Sequence, residues 1–139
     1  MPKKTRSVAK RDEAGMNPKT KEDSPMIHST IRMRVPPQKR VEALRILRST
    51  VGRSKVLPGC LDCRIYEDVQ EDNLIMFEEI WMDEGALEQH LRSDEYRKVL
   101  LVLEMALHAP EVRFYTISRS TGIETIERAR KSIGRGDRP

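Results

Sequence analysis

Polar and apolar residues alternate from Ile27 to Val35 (IHSTIRMRV). Ile27, Ile31, Met33 and Val35 fall on one face, and His28, Thr30, Arg32 and Arg34 on the other. A period of two with one apolar side predicts a half-buried strand, ended by Pro36-Pro37. From Gln38 the period lengthens: Val41, Leu44, Leu47 and Val51 recur at helical spacing, and Gly52 with the LPGC loop is expected to stop that helix. Leu61–Glu67 alternates again, setting Leu61, Cys63 and Ile65 against Asp62, Arg64 and Tyr66, and QEDN (70–73) reads as a hairpin turn. Leu74–Met82 is a third strand, with Ile75, Phe77 and Trp81 on one side and Met76 and Ile80 on the other. Asp83 then caps a short helix over Gly85–Leu91. Ser93 caps a longer one through Ala106, with Val99, Leu100, Leu103 and Leu107 as its stripe. Pro110 precedes a last strand, Val112–Ser118.

The order β-α-β-β-α-β predicts an α+β, ferredoxin-like fold: a four-stranded antiparallel sheet with helices on one face. The opposite face stays open, yet Met76 and Ile80 lie on it, and a strand apolar on both sides is usually covered on both. A homodimer through the open sheet face is the expected solution. Residues 1–25 carry three prolines, little apolar content and no periodicity, so they are expected to be a disordered tail. The globular domain then spans 26–118, with Met26 as an alternative translation start. In the extension 119–139, Ile123, Ile126 and Ile133 make a loose stripe that predicts a short C-terminal helix.

A chain of 139 residues suits one domain with a modest core. The net charge of +4 suggests nucleic acid until it is divided along the chain. Residues 1–25 hold seven Lys/Arg against four Asp/Glu, and 118–139 hold six against three, which leaves the middle at −2. Basicity confined to the ends disfavours a phosphate-binding face on the domain. The run VLLVLEMAL (99–107) is too short to span a membrane, and the N-terminus lacks the apolar segment of a secretory signal. A cytoplasmic protein is expected. Cys60 and Cys63 form a C-x-x-C, but they enter a strand and are expected on opposite faces, so reduced thiols are favoured over a disulfide or a redox pair. Neither a phosphate-binding glycine loop nor a nucleophile elbow occurs.

The run LPGCLDCRIYEDVQEDNLIMFEEIWMDEGALEQHLRSDEYR (57–97) resembles the antibiotic biosynthesis monooxygenase (ABM) domains of the dimeric α+β barrel superfamily. The likeness lies in the Pro-Gly-Cys turn, the charged hairpin, Glu-x-x-Trp ending at Trp81, and Ala-Leu-x-x-His-Leu-x-Ser-x-x-Tyr from Ala86 to Tyr96. It implies a small homodimer with an apolar cleft between sheet and helices in each subunit. It also implies oxygenase chemistry without metal or flavin, in which a deprotonated aromatic passes an electron to O2.

Under that resemblance His90 is the candidate base, since imidazole titrates near neutrality unaided. Trp81 is the candidate wall of a flat pocket, its indole N–H available to a substrate oxygen. Phe77 shares that face, as does Glu79, an alternative base. Tyr96, Tyr66 and Arg64 are candidate hydrogen-bonding or oxyanion-binding residues. Many relatives carry a second histidine shortly after His90; here Asp94, Glu95 and Tyr96 stand in that region. The haem-degrading branch is disfavoured, because no asparagine occurs in 26–35 and no histidine in Val99–Ala106. Two readings remain: a cofactor-free monooxygenase acting on a hydroquinone, an anthrone or a similar small aromatic, and a non-catalytic dimeric ligand-binding or interaction module of the same fold.

Overall fold

A computed structural model describes residues 24–134; nearly all of the expected N-terminal tail lies outside them. The elements are β1 (Met26–Arg34), α1 (Pro37–Ser54), β2 (Cys60–Glu67), β3 (Leu74–Trp81), α2 (Glu84–Leu91), α3 (Tyr96–Leu103), β4 (Glu111–Ile117) and α4 (Ile123–Gly134). The strands form one antiparallel sheet in the order β2-β3-β1-β4, the ferredoxin-like arrangement. Among the described residues no helix is long and apolar enough to cross a membrane.

The alternation in β1 and β3 arises because successive side chains leave a strand on opposite sides. Ile27, Ile31, Met33, Ile75, Phe77 and Trp81 are buried beneath the helices. Ala43, Leu44 and Leu47 of α1 and Val99 and Val102 of α3 cover most of this face. A smaller cluster of Ile27, Trp81 and Leu87 closes the end where α2 sits.

Several elements depart from the pattern read in the sequence. Helix α1 runs through Gly52 to Ser54, and its buried side is Ala43, Leu44, Leu47, Thr50 and Ser54. Val41 is 76% exposed, so the core stripe is rotated from the one that Val41 suggested. Thr50 can sit inside because its hydroxyl donates to the Ile46 carbonyl at 3.1 Å. Helix α3 stops at Leu103 and buries Tyr96, Val99 and Val102, leaving Leu100 and Leu107 about half exposed. In α4, Ile123 and Ile126 are 67% and 57% exposed.

The departure with most consequence is in β2. Cys60 pairs with Trp81 and Asp62 with Ile80, so Leu61 is an extra residue, a β-bulge. It shifts the phase by one. Leu61 turns out to 52% exposure, and Cys60 and Cys63 come to the same, helix-covered face rather than to opposite ones. Both thiols are free.

Candidate active site

The register across the helix-covered face places Cys63, Glu79 and Ser29 side by side on β2, β3 and β1. All three are buried, so the sheet carries a polar band within an otherwise apolar face. Burying a carboxylate is costly unless other groups meet it. Here three do. Trp81 Nε1 donates to Glu79 Oε1 at 3.4 Å, and the Cys63 thiol points to Oε2 at 3.9 Å. His90 Nε2 lies 3.1 Å from Oε2, close enough for an ion pair though not aligned for a hydrogen bond. The side chains of His90 and Glu79 are each 1% exposed.

Helix α2 delivers the imidazole. Asp83, its N-cap, accepts from Ala86 N at 2.8 Å, which fixes the start of the helix directly after Trp81. One and a half turns later His90 lies over the indole, with ring centroids 4.6 Å apart and planes tilted by 31°. Tyr96, in the first turn of α3, meets the imidazole edge-on at 5.2 Å. The other imidazole nitrogen, Nδ1, is buried and has no hydrogen-bond partner among the described residues.

Burial, with the Glu79 charge adding to it, pushes the Tyr96 hydroxyl up to about 12. The same two causes raise the Cys63 thiol strongly and the Cys60 thiol more mildly. These groups stay protonated at neutral pH and are neutral neighbours of Glu79. His90 and Glu79 are the other titratable groups of this cluster.

Beside this network opens a cleft of about 170 Å³. It is lined by Leu57 and Pro58 of the α1–β2 loop, by Trp81, and by Ala86, Gln89, His90 and Ser93. The loop is held close by Gly59. Its φ of +87° suits glycine, and a Cβ there would come within 2.6 Å of the Ala86 Cβ. The Gly59 carbonyl also accepts from Met82 N at 2.7 Å, tying the loop to the end of β3.

The residues singled out in the sequence thus divide into two groups. His90, Trp81, Glu79 and Tyr96 come together. Phe77 does not line the cleft; it is 1% exposed within the main core. Tyr66 and Arg64 project from the opposite, open face of the sheet, because their partners across the ladder are Met76 and Glu78. There the Tyr66 hydroxyl donates to Glu78 at 2.9 Å, and Arg64 pairs with Asp62 at 2.9 Å. Neither can reach a ligand beside His90. The indole N–H expected to face substrate is directed at Glu79 instead. The cleft walls were not anticipated. Ala86, Gln89, His90 and Ser93 recur at three- and four-residue spacing, so the signal for that wall was present once the helix was assigned.

A family profile described as antibiotic biosynthesis monooxygenase matches residues 26–100, more than half of the chain. The chain belongs to the antibiotic biosynthesis monooxygenase family. A conserved protein of Methanosarcina mazei shares the fold with a TM-score of 0.64 at 26% identity, over 70% of this chain and 97% of the other. A solved antibiotic biosynthesis monooxygenase aligns with a TM-score of 0.61 at 20% identity, over 67% of this chain and 99% of its own, a likeness of fold. An uncharacterized Synechocystis protein is 28% identical over 89 residues, which are 63% of this chain. The chain spans 60% of the length of that relative. The matched interval contains every residue of the His90 site, while β4 and α4 lie beyond it.

Proposed function

We propose that this ABM-family protein is a cofactor-independent monooxygenase that oxidises an electron-rich aromatic, such as a hydroquinone or an anthrone, with O2. The observation that carries the reading is the buried Glu79–His90 pair facing a cleft. A substrate hydroxyl gives its proton to the unpartnered Nδ1 of His90. The imidazolium so formed is stabilised by Glu79 at Nε2 and by the indole face of Trp81. The resulting phenolate is electron-rich enough to pass an electron to O2, and recombination forms the new C–O bond. For a hydroquinone the balanced outcome is a hydroxyquinone and one water, with all four electrons taken from the substrate.

The test is oxygen uptake by the metal-free protein over a panel of hydroquinones and anthrones, repeated with His90→Ala. General-base catalysis contributes about 10²–10⁴-fold, so a loss of at least 100-fold is expected. Uptake unchanged by the substitution removes His90 from the mechanism. Ligand binding without uptake by the wild-type protein favours the non-catalytic module instead.

The working assembly in this proposal is a homodimer through the open sheet face. Met76 and Ile80 are half-buried there although no helix covers them, and Thr30 beside them is only 9% exposed. His28, Glu78 and Tyr66 are linked across the same surface at 2.7 and 2.9 Å, so its polar groups satisfy one another before a partner arrives.

A further inference from the structure

We propose that Gln89 is a specificity-determining residue, one that selects single-ring phenols carrying a second, neutral hydrogen-bonding group. The inference rests on the cleft being the ligand site of the preceding section. It follows from asking which polar atoms lining that cleft are still available. Trp81 Nε1 is directed at Glu79. Ser93 Oγ donates to the His90 carbonyl at 2.6 Å and accepts from Tyr96 N at 3.3 Å. Two groups are left. His90, which lines the cleft, keeps a buried Nδ1 with no partner among the described residues. The Gln89 carboxamide lies at the exposed rim and makes no hydrogen bond with the described residues.

The rest of the lining is largely apolar: Trp81, Leu57, Pro58 and Ala86. A ligand that satisfies the cleft is therefore polar at both ends and aromatic between. Its inner end must give a proton or a hydrogen bond to imidazole. Its outer end can be a donor or an acceptor, since a carboxamide offers both. Among the described residues no Lys, Arg, Asp or Glu lines the cleft, so nothing there calls for a charged outer group.

Volume limits the body of the ligand. An apolar cavity of about 150 Å³ admits benzene, and this cleft measures about 170 Å³. One ring with small substituents fits. A three-ring anthrone overfills the cleft and has to project beyond its mouth, so it is the poorer fit of the two substrate types.

Trp81 is the only tryptophan in the chain and lines the cleft, so its fluorescence reports occupancy. The experiment is an anaerobic titration of the full chain, wild type and Gln89→Leu, with phenol, hydroquinone and anthrone. Gln89 is exposed on a helix, where leucine is as good a helix former, so the variant is expected to fold. One neutral hydrogen bond corresponds to a preference of about fivefold. Hydroquinone should bind about fivefold more tightly than phenol to the wild type and no more tightly to Gln89→Leu, with phenol affinity unchanged. Anthrone should bind at least about tenfold more weakly than phenol, since overfilling a packed site strains it. A hydroquinone preference that survives Gln89→Leu overturns the proposal, as does anthrone binding equal to that of phenol, or no Trp81 response to either small phenol. Oxygen uptake is read separately. Selective binding without uptake supports this inference while defeating the monooxygenase reading, and uptake without selectivity does the reverse.

Discussion

Glu79 and His90 approach to 3.1 Å at a point where each side chain is 1% exposed, so a carboxylate and an imidazole share one water-excluded pocket. The pair joins a strand to the helix that follows the next turn. Removing one member leaves the other buried without its counterpart, and such losses typically cost about 3–5 kcal/mol. Glu79→Ala and His90→Ala are each expected to lower unfolding free energy by about 3 kcal/mol in urea titrations. The double variant Glu79→Leu/His90→Leu should recover most of it. Strictly additive losses would show that the two groups are not coupled.

Alkaline pH should loosen the same region. Burial, with the Glu79 charge adding to it, pushes the Tyr96 hydroxyl from the ordinary tyrosine value of 10 up to about 12. The native state therefore holds this proton more tightly than the unfolded chain does. The associated stability is fully present below about pH 10 and is lost as pH rises toward 12. Two units correspond to roughly 2–3 kcal/mol. The Cys63 thiol, also raised, adds a loss that begins near its unfolded value of 9. Urea midpoints measured from pH 8 to 11 should fall, and Tyr96→Phe should flatten the upper part of the decline. A midpoint independent of pH would contradict this.

Cys63 should be chemically silent. It is 0% exposed, and burial together with the Glu79 charge disfavours its thiolate. Alkylation at pH 8 is expected to modify Cys60, which is partly accessible, and to spare Cys63 until the protein unfolds. Peptide mapping after brief iodoacetamide treatment distinguishes the two. Equal labelling would mean that the bulged end of β2 opens readily.

Gly59→Ala tests the wall of the cleft. The substitution faces a positive φ and a Cβ contact at 2.6 Å, so the loop must shift or strain. A loss of about 1–3 kcal/mol is expected, with weakened phenol binding by Trp81 fluorescence. Adding Ala86→Gly removes the collision but not the backbone strain, and only partial recovery should follow.

The open sheet face is tested by Ile80→Asp. A charge placed at the centre of a dimer contact should yield monomers in sedimentation velocity, while the wild type sediments as a dimer. A wild-type monomer at micromolar concentration would overturn the assembly.

Much of the fold was legible because β1 and β3 largely follow a period of two, with buried Thr30 out of step. Where legibility failed, a local device intervened. The bulge at Leu61 reversed the facing of Cys60, and nothing in the run CLDC announces an inserted residue. In α1, Thr50 and Ser54 occupy core positions that a hydrophobic stripe cannot reveal, while Val41 faces solvent. Within the site, Trp81 and His90 could be named from the chain, but their shared dependence on Glu79 could not. That link needs the strand register and the placement of α2 together. Tyr66 and Arg64 lie on the side of β2 that alternation gave them, the open face, where they meet Glu78 and Asp62.

Leu57 and Pro58 belong to a connection, whereas the groups that would handle protons belong to regular elements. Room for the guest and the means of activating it are thus set by separate stretches of chain. A one-residue insertion between Ser54 and Gly59 would widen the slot while the sheet and the Glu79–His90 contact stayed in place, so new guests could be admitted without rebuilding the chemistry.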